Sequence, residues 1–403
     1  MRAMPAECEV LLRAAHRSPD AEALARIDAL THGSFDWERC LALVRYHGMT
    51  PLLVRALSQG DTPACSPEIW NQLIAETRAL AIENLSATAE LLAIMKDLEA
   101  AAIEAITLKG PVAGLALYGD VASRPFLDLD LLIAPEDRDR TVECLAARGY
   151  RPDLDLSPAG WRRHLRRYIE MVCVHSQTGV VIDLHWALVD PRYRYATALA
   201  GCDARAISFH VGDRRIRTLC PEDTLVYFLL HAARHQWTGL RSLVDLKLLI
   251  EAHDDLDWDA VARAVARAPG SQRVIAVGLR LIELLFGASM KGPAAKWIAD
   301  DARADELARE SFRSLTSGEI PLAPRRRWPW SLRLNRSLSP HDRLLHAYDY
   351  LLSPTSHEWM AVPLPEWLAW LYPAIRIARL TEKHVWRNRW RPAKHTTSAS
   401  TRQ

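Results

Sequence analysis

The sequence has no run of about 18 uncharged apolar residues, the length a membrane-spanning helix needs. Its nearest approach, 359–380, holds three prolines, a glutamate and two arginines, and reads as a packed or interfacial segment. The opening MRAMPAECEVLL lacks the apolar core of a signal peptide. Disulfide and zinc frameworks are missing as well. The seven cysteines, Cys8, Cys40, Cys65, Cys144, Cys173, Cys202 and Cys220, are odd in number, and no two have zinc-ligand spacing. Such usage fits a reduced, cytoplasmic compartment. There is no internal repeat and little net charge, +2 over 403 residues. That small sum hides an asymmetry: from Arg325 to the end, fourteen Lys/Arg stand against five Asp/Glu. A basic segment of this kind attracts anions, RNA among them, or is a solvated tail.

What is present divides the chain by pattern. Residues 1–102 read as helical. Asp36-Trp37 opens an apolar-periodic run over 40–57, broken at Gly48 and Pro51, and Pro67 opens a second run to about Ala102. In that second run Asn84 is the polar exception on an apolar stripe. From 103 to 220 the period shortens. Ile106–Leu108 is strand-like and ends at Lys109-Gly110-Pro111. A helix is expected over 112–118, a strand over 126–133 and a helix over 135–148, stopped by Gly149. Strand-like runs at 168–175 and 180–186 flank Gln177-Thr178-Gly179, and a second hairpin turns at Gly212-Asp213. Helices follow at 222–236, 239–253, 258–268, 272–286 and 341–352 within a helical region 221–390, and the tail 391–403 is expected to be disordered. The fold class is therefore α+β, a small mixed sheet flanked by N-terminal and C-terminal helical regions.

The chemistry concentrates on the sheet. In FLDLDLLI, side chains alternate faces, so Asp128 and Asp130 share one face and Leu127, Leu129 and Leu131 the other. Two carboxylates about 7 Å apart along a strand repel unless a cation lies between them. A hard divalent cation takes one or two carboxylates together with substrate phosphates. Asp183 and His185 share a face of VVIDLHW, and a pairing of the two strands gathers three carboxylates for a two-metal transfer of a phosphoryl or nucleotidyl group. Lys109 and Gly110 open a helix beside phosphate, and Arg124 is placed to clamp a phosphate or brace the carboxylates.

LKGPVAGLALYGDVASRPFLDLDLLI followed by VVIDLHWAL resembles the polymerase-beta-type nucleotidyltransferase superfamily, in a poorly characterised bacterial branch. DWERCLALVRYHGMTPLL and CPEDTLVYFLLHAARHQWTGLRSLVDLKLLI add to the likeness, which spans roughly residues 30–290. The resemblance implies a nucleotidyltransferase core at 103–220, with Asp128 and Asp130 as ligands of one or both metals. It makes Asp183 the third carboxylate, which also helps activate the attacking hydroxyl. It implies Mg²⁺, with Mn²⁺ as an alternative, and an NTP whose NMP passes to an unidentified acceptor with release of pyrophosphate. The superfamily's Gly-Ser or Gly-Gly before the acidic pair is replaced here by Lys109-Gly110-Pro111, with a longer spacer. That departure favours one rival, a non-catalytic nucleotide-binding or scaffold protein. The basic C-terminal half favours another, a toxin-like enzyme modifying RNA or tRNA.

His185 is read as a nucleotide contact or as an orienting group for a carboxylate. His231 and His235 have metal-pair spacing on a helix, but no glutamate follows His231, and packing against the sheet is the stronger reading. Asp245 is read as the structural partner of a histidine or an arginine. Of fourteen tryptophans, seven lie at Trp328 and beyond. Those at 359–372 are expected in a small helical core, and 383–391 (KHVWRNRWR) forms a basic amphipathic end.

Overall fold

The computed structural model describes residues 4–59, 65–320 and 339–385. Four helices lead: α1 (Ala6–Ala14), α2 (Ala21–Thr31), α3 (Trp37–His47) and α4 (Thr50–Leu57). Asp20 and Asp36 accept backbone N–H bonds at the starts of α2 and α3, and Gly48 ends α3 at φ +66°. The 34-residue α5 (Pro67–Ala100) begins at a Ser66 cap. Its polar exception is explained: Asn84 is buried and donates Nδ2 to the carbonyls of Val121 (2.7 Å) and Arg124 (3.0 Å). It thereby holds the loop that precedes the acidic pair.

One seven-stranded mixed sheet follows, β1 (Ala105–Thr107), β2 (Leu129–Ile133), β3 (Tyr150–Pro152), β4 (Glu170–His175), β5 (Val181–His185), β6 (Ile207–Val211) and β7 (Arg214–Thr218), in the order β3-β4-β5-β2-β1-β7-β6. The β5–β2 and β1–β7 pairs are parallel and the others antiparallel. Both hairpin turns rest on glycines at positive φ, Gly179 (+73°) and Gly212 (+59°).

Three local expectations need correction. β2 starts at Leu129, not at residue 126. Leu127 is 84% exposed, so it does not join the buried face of Leu129 and Leu131. Asp128 lies in a bend just before the strand. The helix after Lys109 is a single α-turn, α6 (Gly110–Ala113), that widens into a π-turn over Gly114–Tyr118. Two further elements, β3 and α8 (Pro158–Arg167), are additional to the sequence expectations, although Ser157-Pro158 and the helical spacing of Trp161, Leu165 and Tyr168 mark α8.

After β2 the chain forms α7 (Arg138–Ala147), and after the sheet α9 (Pro221–Arg234), α10 (Leu240–Ala252), α11 (Trp258–Ala266), α12 (Ser271–Phe286), α13 (Gly292–Asp300) and α14 (Ala302–Leu315). Ile106, Leu108 and Leu132 of one sheet face share a core with α1, α3, α4, α9, α10 and α12. Leu129, Leu131, Ile133, Ile182 and Leu184 are buried on the other face, outside that cluster. On that side Tyr150 of β3 donates its hydroxyl to Glu90 of α5 (3.2 Å).

The described residues fall into two compact units, drawn from Met1–Asp153 with Ile169–Ser339, and from Leu154–Tyr168 with Pro340–Gln403. In the second, α8 joins α15 (Pro340–Leu351), α16 (Ser356–Ala361) and α17 (Tyr372–Val385). Trp359, Tyr372 and Leu156 form its core, but Trp367 and Trp370 are 75% and 72% exposed, so the expected aromatic core holds only in part. The 3₁₀ turn Glu366–Leu371 that carries them projects those rings outward. The basic end beyond 385, the tail 391–403, and Trp328 and Trp330 lie outside the described residues. Among the described residues no helix is long and apolar enough to cross a membrane.

Candidate active site

Strand register builds the site. Asp130 is the in-register partner of Asp183 across the parallel β2–β5 pair, so both carboxylates leave the sheet on one side. His185 lies two residues further along β5 and faces the same way. Glu170 on β4 is its antiparallel partner. Lys109 precedes α6, and Gly110 begins that turn at φ +56°, a conformation that glycine adopts at little cost. A Cβ at Gly110 would meet nothing nearer than 3.8 Å, so the constraint there is backbone conformation and not crowding.

Asp130 is 3% exposed, and its Oδ1 accepts from His185 Nε2 (3.3 Å) and Lys109 Nζ (3.4 Å). Burial alone would raise its carboxyl. The histidine hydrogen bond and the nearby cations outweigh burial and bring it down to about 2. Asp183 goes the other way. Burial, with the charges of Glu170, Asp130 and Asp128 adding, raises it to about 6. Burial, and next the charge of Asp130, also raise Asp128, while Lys109, Arg124 and Arg241 pull it back.

These facts test whether a divalent cation fits. One oxygen each of Asp130 and Asp183 and a ring nitrogen of His185 all lie within 4.8 Å of one another. Asp183 Oδ1 is buried with no hydrogen-bond partner. A buried carboxylate oxygen without a donor, beside a second carboxylate, suits a hard cation. Asp128 is outside this tight group and reaches it through its charge.

A profile of the uncharacterised nucleotidyltransferase family matches residues 33–287. The chain belongs to this nucleotidyltransferase family. No curated protein matches it. A solution structure of the antibiotic-resistance factor ANT(2'')-Ia is 16% identical, with 45% of this chain and 91% of that one covered and a TM-score of 0.33. So loose a likeness places no atom of the site.

In this family member, Arg124 is buried and its guanidinium is paired with a carboxylate. It donates Nε and Nη2 to Asp245 of α10 (3.1 and 2.8 Å), and Tyr118 donates its hydroxyl to the same carboxylate (2.6 Å). Its reach toward the site carboxylates is electrostatic, to both Asp128 and Asp130. Asp245 is thus an arginine's partner. His231 presents both ring nitrogens 3.4 Å from Lys109 Nζ, and burial, then the Lys109 charge, lower it to about 2, which keeps it neutral. His235 packs on its ring at 4.6 Å. The histidine pair therefore packs around the lysine.

Four residues escaped sequence reasoning: Glu170, Tyr227, Arg234 and Arg241. Lys109 lies 5.1 Å over the Tyr227 ring, and Arg241 donates to the Pro125 carbonyl (2.7 Å) beside the acidic bend. Only Glu170 left a trace, as a charge at the start of an apolar strand.

The raised carboxyl of Asp183 has a consequence for stability. Its folded value lies above the ordinary 3.8, so protonation favours the folded state, and metal-free stability falls as pH rises through the window from about 4 to about 6. A two-unit rise corresponds to ~3 kcal/mol, which solvent screening at this half-buried group reduces to about 1 kcal/mol. Asp183→Asn should therefore raise the metal-free melting temperature at pH 7.5 by a few degrees. Calorimetry in chelator checks it, and a lowered midpoint would count against the electrostatic reading.

Proposed function

We propose that this nucleotidyltransferase moves an NMP from an NTP to an acceptor with release of pyrophosphate, using divalent metal held by Asp128, Asp130 and Asp183. The observation that carries the reading is the in-register Asp130–Asp183 pair, with Asp128 two residues upstream and Lys109 alongside. A bound Mg²⁺ or Mn²⁺ supplies charge that offsets the triphosphate and lowers the pKa of the attacking hydroxyl. Asp130 enters as a standing carboxylate, ready to ligate. Asp183, whose carboxyl is raised, is the member placed to draw a proton from the acceptor. Lys109 pairs with Asp130 and offers a point charge to phosphate. The chain contributes positioning and fixed charge more than covalent chemistry.

The test is pyrophosphate release from each NTP with Mg²⁺, against metabolite and RNA fractions as acceptor sources. Release that chelator abolishes and added Mg²⁺ or Mn²⁺ restores is the expected result. Pro111, which removes one backbone donor from the first turn after Gly110, favours a second reading, nucleotide binding without transfer. NTP binding with no pyrophosphate from any fraction would decide for that reading.

A further inference from the structure

Glu170 and Arg234 have no part in the mechanism above, yet they stand directly behind His185. Glu170 Oε2 is 3.4 Å from His185 Nδ1, and Glu170 Oε1 accepts from Arg234 Nη2 at 3.0 Å. His185 is 5% exposed, and its Nδ1 has no aligned hydrogen bond, so Glu170 is the acceptor within reach. The other ring nitrogen, Nε2, points to Asp130 at 3.3 Å and closes the three-donor group with Asp183.

Two roles compete for this imidazole. It could serve only to orient Asp130. Both contacts to that Asp130 oxygen are long, His185 at 3.3 Å and Lys109 at 3.4 Å, where about 2.7–2.9 Å is usual for a charge-assisted hydrogen bond to a carboxylate. The two carboxylates and the His185 ring offer three donor atoms all within 4.8 Å of one another, and Asp183 Oδ1 has no hydrogen-bond partner. An imidazole backed by a carboxylate on one nitrogen and facing carboxylate oxygens with the other is the usual setting of a metal-ligating histidine.

We propose that His185 Nε2 is a direct ligand of the cation held by Asp130 and Asp183. Glu170, steadied by Arg234, is the positioning residue that keeps the ring's proton on Nδ1 when the cation is bound. This rests on the metal-site reading given above and deepens it. A nitrogen ligand tilts the site toward Mn²⁺ over Mg²⁺, because Mg²⁺ keeps to oxygen donors whereas imidazole suits softer divalent ions.

The test uses the full chain and Mn²⁺ alone, without nucleotide. Pulsed electron paramagnetic resonance of the bound Mn²⁺ should show ¹⁴N coupling from one imidazole in the unaltered protein, and His185→Gln should remove it. Glu170→Gln should keep the coupling but raise the Mn²⁺ dissociation constant by about 10- to 100-fold, measured by titration calorimetry. Stoichiometric Mn²⁺ that Asp183→Asn displaces, with no ¹⁴N coupling, would overturn the His185 assignment and leave the carboxylate site standing. Coupling that survives His185→Gln overturns it too, and an unchanged dissociation constant in Glu170→Gln overturns the positioning role. No Mn²⁺ binding at all would sink both this inference and the metal-dependent transfer. Bound Mn²⁺ without ¹⁴N coupling in the unaltered protein overturns the assignment without any variant having to fold.

Discussion

Asp130→Asn is expected to lower metal-dependent pyrophosphate release by at least about a thousand-fold, equivalent to ~4 kcal/mol of barrier. Its carboxyl is the member of the acidic set held below its ordinary value, at about 2, so it is a ligand ionised under all working conditions. Asparagine keeps the shape and removes the charge. The same substitution should cost stability, because a carboxyl lowered from 3.8 to about 2 stabilises the fold above pH 4 and loses that contribution as pH falls through about 2. About 2 kcal/mol follows from the size of the shift. Asp130→Asn and Asp183→Asn therefore share one sign in activity and have opposite signs in metal-free melting temperature. A merely solvated acidic face would give neither pattern. Activity within tenfold of the parent, measured in a folded Asp130→Asn protein, rules out the assignment.

The largest stability effect belongs to a residue with no place in the chemistry. Asp245→Ala is expected to destabilise the protein by about 3–5 kcal/mol, because it leaves the Arg124 guanidinium buried without its counter-charge. The Tyr118 hydroxyl loses its acceptor in the same step. Denaturant titration should show the midpoint shift. A double variant that replaces Arg124 and Asp245 with apolar residues of similar volume should recover most of the loss, since a buried pair is strongly destabilised by losing one partner and much less by losing both. A loss under 1 kcal/mol for Asp245→Ala would mean that water reaches Arg124. This pair ties the bend carrying Asp128 to α10, so Asp245→Ala should also weaken metal binding.

Much of the site is legible in local sequence pattern. Alternation in VVIDLHW marks the face that Asp183 and His185 share, alternation in FLDLDLLI holds from Leu129 onward, and Gly110, Gly149, Gly179 and Gly212 mark the breaks between elements. Where the pattern misleads, a local rule meets a tertiary one. Leu127 follows the alternation but sits in a bend outside the ladder, so it is exposed and not buried. Arg124 reads as a phosphate clamp by its distance from Asp128, yet its partner is 121 residues away on α10. Trp367 and Trp370 read as core because tryptophans usually bury, whereas a short turn in a small unit lacks the interior to take them.

By itself the sequence determined which side chains can share a face, because a regular strand repeats every two residues and a regular α-helix every 3.6. Only the tertiary structure decided which faces meet. Asp183 stands opposite Asp130 because β5 joins β2 in parallel, through ladder hydrogen bonds between segments some fifty residues apart. Nothing in either strand names its neighbour, and a shift of one residue would have sent Asp183 to the other side of the sheet.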